Sequence, residues 1–176
     1  MTSQTLSRIA VHRAVGARHR GRLHAGGLVL PCALGRAGIR RDKREGDGAT
    51  PAGTVRPLGA FFRADRGRRP ETPLPLAAIR AADGWCDAPG DRNYNRPVLL
   101  PYPASAERMR REDRLYDLVV DLSANRAPIR KGRGSAIFLH VARPGFQPTE
   151  GCIALEPRAL RRLLARIGPR TRFVVG

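Results

Sequence analysis

The apolar positions of this chain fall in short blocks rather than long stripes. Gly27–Leu34, Val55–Phe62, Leu115–Leu122 and Ser135–Val141 are rich in Val, Leu, Ile and Phe and are bounded by Gly, Pro, Asp or Asn. That pattern predicts strands. Helical spacing is clearest after Pro157, where Leu160, Leu163, Leu164 and Ile167 recur on one face until Gly168–Pro169 ends the run. A closing strand follows at Thr171–Val175, and the charged stretch Ser105–Asp113 predicts a second short helix. Between these blocks, Gly35–Thr54 carries Gly46, Gly48, Pro51 and Gly53, residues of a tight loop. The middle, Arg66–Tyr102, is a long passage rich in Pro, Gly, Asp and Asn, a composition that often carries function. The pattern predicts a mainly β, α+β fold with short helices, one of them C-terminal. With no repeat, low-complexity tract or linker, residues 1–176 are expected to form a single domain.

Composition changes this picture little. The net charge of +18 invites a nucleic-acid reading, but the arginines are scattered along the whole chain and aromatic residues make up 5%. No zinc-finger spacing or RNA-recognition signature is present, so specific nucleic-acid binding is not expected, while attraction to a polyanion is. No stretch has the apolar length of a membrane span. The first thirty residues, studded with Arg8, His12, Arg13 and His19, lack the apolar centre and cleavage site of a secretory leader. Three widely spaced cysteines do not make a disulfide framework, although a Cys32–Cys86 bridge stays open, which would leave Cys152 as a free thiol.

Candidate chemistry centres on Thr149-Glu150-Gly151-Cys152, with His140 at the end of the apolar block before it. A thiol becomes a nucleophile when a base or cation favours its thiolate. The turn signal Arg143-Pro144-Gly145 would let His140 fold back onto Cys152. Gly151 would admit a substrate carbonyl, with the peptide N–H groups of 151 and 152 as an oxyanion hole. Against this stands the plainer reading that Cys152-Ile153-Ala154-Leu155 is a core strand and His140 a satisfied structural group. A zinc site of Cys152, His140, Glu150 and Cys86 lacks the local ligand pairs such sites show.

On these residues the sequence resembles the L,D-transpeptidase catalytic domain, the YkuD-like family of bacterial cell-wall enzymes, from roughly Leu28 to Val175. The histidine closing a strand and the Thr-x-Gly-Cys run are matched by His140, Thr149, Gly151 and Cys152. The upstream loop motif is matched by Lys43, Gly46, Asp47, Thr50, Pro51 and Gly53. The resemblance implies a β-sandwich of mixed sheets, Cys152 as acylated nucleophile and His140 as base. It implies a carbonyl near Thr149 that orients the imidazole, peptidoglycan stem peptides as donor and acceptor, and no metal or cofactor. It implies periplasm or cell wall, although no export signal is visible and a cytoplasmic location stays open. Hydrolysis through the same thioester, and a silent wall- or polyanion-binding module, are the alternatives. Glu150 stands where the family usually has His, and Ala154 where it often has Arg. Glu150 is therefore expected to disfavour the thiolate or to bind a substrate ammonium, and Arg143 to hold a stem carboxylate. Trp85, Tyr94, Asn95 and Tyr116 are candidates for a lid over the cleft, with a core role for Trp85 and Tyr116 as the competing reading.

Overall fold

A computed structural model describes residues 5–176. The chain begins with a hairpin of β1 (Arg8–Arg13) and β2 (Arg20–Ala25), in which Val11 faces Leu23. In β2 the buried residues Gly21, Leu23 and Ala25 alternate with exposed Arg20, Arg22 and His24. This strict period of two buries one face of the strand and solvates the other. Gly26 and Gly27, both at positive φ, form the two-residue turn into β3 (Leu28–Ala33).

The expected tight loop follows, held between β4 (Ile39–Arg40) and β5 (Thr50–Pro51), which pair in parallel. The chain continues through β6 (Gly53–Val55), β7 (Pro57–Phe62) and β8 (Leu76–Ala78). Next, β9 (Asp83–Cys86), β10 (Pro97–Leu99) and β11 (Ala106–Arg108) make a separate antiparallel sheet in the order β10-β9-β11. The final elements are β12 (Leu118–Leu122), β13 (Phe138–Val141), a short 3-10 turn at Pro144–Phe146, β14 (Ile153–Leu155), α1 (Pro157–Leu164) and β15 (Arg172–Val175). The main sheet has ten strands in the order β6-β15-β1-β2-β3-β14-β13-β12-β7-β8, with both parallel and antiparallel pairs.

Two apolar clusters flank the centre of this sheet. The alternation of buried and exposed residues seen in β2 is absent from β12, β13 and β14, because both of their faces are covered, which gives near-continuous apolar runs. Val120, Leu139, Val141, Ile153 and Leu155 face the main core with Leu160, Leu163 and Leu164 of α1. On the opposite face Val119, Phe138 and Cys152 pack with Trp85, Met109 and Tyr116. That second face carries the candidate chemistry. Among the described residues no helix is long and apolar enough to cross a membrane.

The mainly β fold with mixed pairing and a C-terminal helix agrees with the sequence reading. The helix is entered through Pro157, and its Glu156 cap accepts from Ala159 N at 2.9 Å. The helix expected over Ser105–Asp113 is replaced by β11. Met109 is the buried residue of that stretch, so it has no apolar stripe for a helix to bury, and its backbone pairs with β9 instead. The strand expected from Ser135 starts only at Phe138, because Ala136 adopts a φ of 51°. Cys32, Cys86 and Cys152 are all free thiols, so there is no Cys32–Cys86 bridge.

Candidate active site

β13 and β14 lie side by side in parallel, with His140 opposite Ala154. The crossover between them, residues 142–152, is tied to the end of β3. Thr149 N donates to Leu34 O, and Arg36 N donates to Thr149 O, both at 2.9 Å. Period two sends Phe138 and His140 to the second face, so the imidazole and the Cys152 thiol line one cleft of about 510 Å³. His140 is 5% exposed and Cys152 8%.

The thiol has its own partners. Cys152 Sγ donates to Ala136 O at 3.1 Å and accepts from Phe138 N at 3.3 Å. Burial pushes its pKa up to about 12, and the Glu107 charge adds to the rise, while the Phe138 N–H opposes it. Burial also pulls His140 down to about 4, against the opposing effect of its bond to Val141 O. The pair therefore rests as neutral thiol and neutral imidazole, not as the ion pair that the sequence suggests. His140 Nδ1 donates to Val141 O at 2.8 Å, which leaves Nε2 as the unprotonated nitrogen. The Val141 carbonyl thus takes the orienting role expected of a carbonyl near Thr149, whose own oxygen is occupied by Arg36 N.

Thr149 serves the loop instead. Its Oγ1 donates to Cys152 O at 2.6 Å and accepts from Gly151 N at 3.2 Å. Of the two expected oxyanion donors, Gly151 N–H is thus engaged, and no hydrogen bond among the described residues uses Cys152 N–H. Gly151 sits at φ 139°, and a Cβ there would lie 2.8 Å from Ala49 O. Ala49 belongs to the upstream loop motif, which Asp47 organises. The Asp47 carboxylate accepts from Lys43 Nζ at 2.5 Å, Arg44 N at 2.8 Å and Ala49 N at 2.9 Å. That loop is the floor on which the Gly151–Cys152 turn rests.

The four lid candidates are placed otherwise. Trp85, Tyr94 and Asn95 are buried and do not line this cleft, because each is needed for packing or polar satisfaction inside. Asn95, 1% exposed, accepts from Trp85 Nε1 at 3.1 Å and from Ala136 N at 3.0 Å, and its Nδ2 donates to Asn125 O at 2.8 Å. It clamps the left-handed Ala136, whose carbonyl receives the thiol. Asn95→Ala is expected to lose about 2–3 kcal/mol by orphaning those buried groups, which a thermal melt checks. Tyr94 OH donates to Glu45 and accepts from Gly134 N. Tyr116 does line the cleft, with its ring 5.4 Å from that of His140 in an edge arrangement.

Glu150 lines the rim, but its side chain is 81% exposed and pairs with Arg36. It therefore does not press on the sulfur, and the carboxylate that does is Glu107. Sequence reasoning missed Glu107 because it assigned this residue to a solvated helix. Arg143 is exposed at the mouth of the cleft and forms no ion pair among the described residues. No three of His, Cys, Asp and Glu converge as a metal site among the described residues.

The family YkuD, the L,D-transpeptidase catalytic domain, matches residues 14–175. No curated protein matches. An L,D-transpeptidase from Mycobacterium tuberculosis H37Rv is similar in structure at 12% identity and a TM-score of 0.41, over 96% of this chain and 57% of that one. L,D-transpeptidase 3 from Mycobacterium tuberculosis is similar at 12% identity and 0.43, over 96% and 60%. The chain spans less than two thirds of the length of either structure.

Proposed function

The chain belongs to the L,D-transpeptidase catalytic-domain family, and we propose that it is a cysteine acyltransferase acting on peptidoglycan stem peptides. The observation that carries this reading is the shared cleft of Cys152 and His140, with the imidazole held by Val141 O so that Nε2 is a free base. In the first half-reaction Cys152 Sγ attacks the carbonyl of an L-residue joined to a D-residue, as its proton passes to His140 Nε2. Because the resting pair is neutral, this proton moves with the attack rather than before it. The Cys152 N–H receives the developing oxyanion. The imidazolium then protonates the departing amine, leaving a thioester on Cys152. In the second half-reaction the amine of another stem attacks that thioester, His140 removes the N–H proton, and the sulfur leaves. Arg143, at the mouth and without an ion pair among the described residues, would hold a stem carboxylate in this reaction. Such a substrate belongs to the periplasm or cell wall.

Product analysis tests this reading. Incubated with purified stem muropeptides, the protein is expected to yield crosslinked dimers. Shortened monomers without dimers would assign it to hydrolysis, and unchanged muropeptides would leave only a binding module.

A further inference from the structure

The charge of the cleft runs against that of the chain. Four of the 15 Asp and Glu residues line it (Glu45, Asp87, Glu107 and Glu150), but only three of the 33 Lys and Arg (Arg108, Arg111 and Arg143). Glu150 is spent on Arg36, and the Glu45 carboxylate is held by Tyr94 and Ser135. Asp87 and Glu107 are different. Glu107 sits opposite Trp85 in the β9–β11 ladder, Asp87 directly follows the end of β9, and both line the cleft. Glu107 Oε1 accepts from Tyr116 OH at 2.7 Å and Arg111 Nη1 at 3.3 Å, and no hydrogen bond among the described residues uses its Oε2. Asp87 Oδ1 is buried and has no hydrogen-bond partner among the described residues.

A buried, unpartnered carboxylate oxygen is costly unless a donor arrives to fill it. Arg111 does not fill it, since its guanidinium is divided between Asp113, at 2.9 and 2.7 Å, and the already partnered Glu107 Oε1, at 3.3 Å. Burial holds Glu107 above the usual carboxylate range; the Tyr116 bond and the Arg111 charge oppose it, and the Asp87 charge adds to the rise. A cation between the two carboxylates removes both penalties. The proposed reaction brings one, because the acceptor reaches the thioester as an ammonium.

We infer that Asp87 and Glu107 form the subsite that receives the ammonium group of the acceptor, and so bias the thioester toward amine transfer over hydrolysis. This rests on the thioester reading above. An ammonium has no free electron pair, so it first gives one proton to a carboxylate of the pair. The nitrogen lone pair then forms the C–N bond at the thioester carbonyl, and the second N–H proton passes to His140. The C–S bond breaks and the thiolate recovers that proton from the imidazolium, while the carboxyl group returns its own to water. Charge and atoms balance, and no further reactant is needed.

The full chain carrying Glu107→Gln or Asp87→Asn tests this with stem muropeptides as donor and acceptor, and with hydroxylamine as an uncharged nucleophile. Both variants are expected to form the Cys152 adduct while the ratio of dimer to hydrolysed monomer falls about tenfold through a higher KM for the amine. In Asp87→Asn, trapping by hydroxylamine should stay within about twofold of wild type, since it needs no counter-charge. An unchanged dimer ratio in Asp87→Asn, the isosteric variant, overturns the inference. A parallel loss of hydroxylamine trapping in that variant also overturns it, because the pair would then be structural. A wild-type protein that never acquires an adduct removes the thioester itself and the amine subsite with it.

Discussion

Replacing His140 with glutamine is expected to slow thioester formation by about three orders of magnitude while leaving the fold intact. Glutamine is an uncharged side chain of similar reach, but its amide has no basic nitrogen to take the thiol proton. The cost is large because burial keeps the Cys152 pKa near 12, so almost no thiolate exists without a base. The wild-type pH profile should carry the same signature. With His140 lowered to about 4, the neutral base persists well below the ordinary imidazole range. Acylation should therefore stay level as pH falls from 7 to about 5 and decline only toward 4. An inflection near 6.5 would contradict the burial of this group. Stability follows with a definite sign. The unfolded chain binds a proton at His140 near pH 6.5 and the folded chain does not until about 4, so stability is lost as pH falls through that window. The contribution is on the order of 3 kcal/mol and is absent from His140→Gln, whose melting temperature should fall less between pH 7 and 4.5.

Gly151→Ala should cost about 2–4 kcal/mol and lower the melting temperature by roughly 5–15 °C. Two effects combine at this position. The φ of 139° is strained for any L side chain, and the added Cβ would meet Ala49 O at 2.8 Å. Ala49 has little room to yield, because it is fully buried and its N–H is bound by Asp47. Gly90, whose Cβ position is open and whose φ is ordinary, serves as the control, and Gly90→Ala should melt within about 2 °C of wild type. A wild-type melting temperature for Gly151→Ala would mean that the turn before Cys152 does not depend on the loop beneath it.

The central strands were legible because burial on both faces makes them apolar throughout, and α1 because its leucines keep helical spacing. The N-terminal hairpin was not, since Arg20, Arg22 and His24 mask the alternation of Gly21, Leu23 and Ala25. Cys152 and His140 could be read together because one short crossover between adjacent strands leads from the His140 strand to Cys152. The rest of the site comes from distant segments. Asn95 reaches Ala136 across 41 positions, and Glu107 enters the cleft from a sheet that the charged stretch around it did not suggest. Aromatic and amide residues in a polar loop looked like a lid, yet hydrogen bonds and packing draw Trp85, Tyr94 and Asn95 inside.

The central claim is that the Cys152 sulfur becomes a thioester. Intact-mass measurement of the protein after incubation with muropeptides or a carbapenem tests it most directly. A mass gain of one acyl group in the wild type, mapped to Cys152 and missing from Cys152→Ala, is the predicted result. A wild-type protein that keeps its mass, or an adduct that survives the substitution, would contradict it.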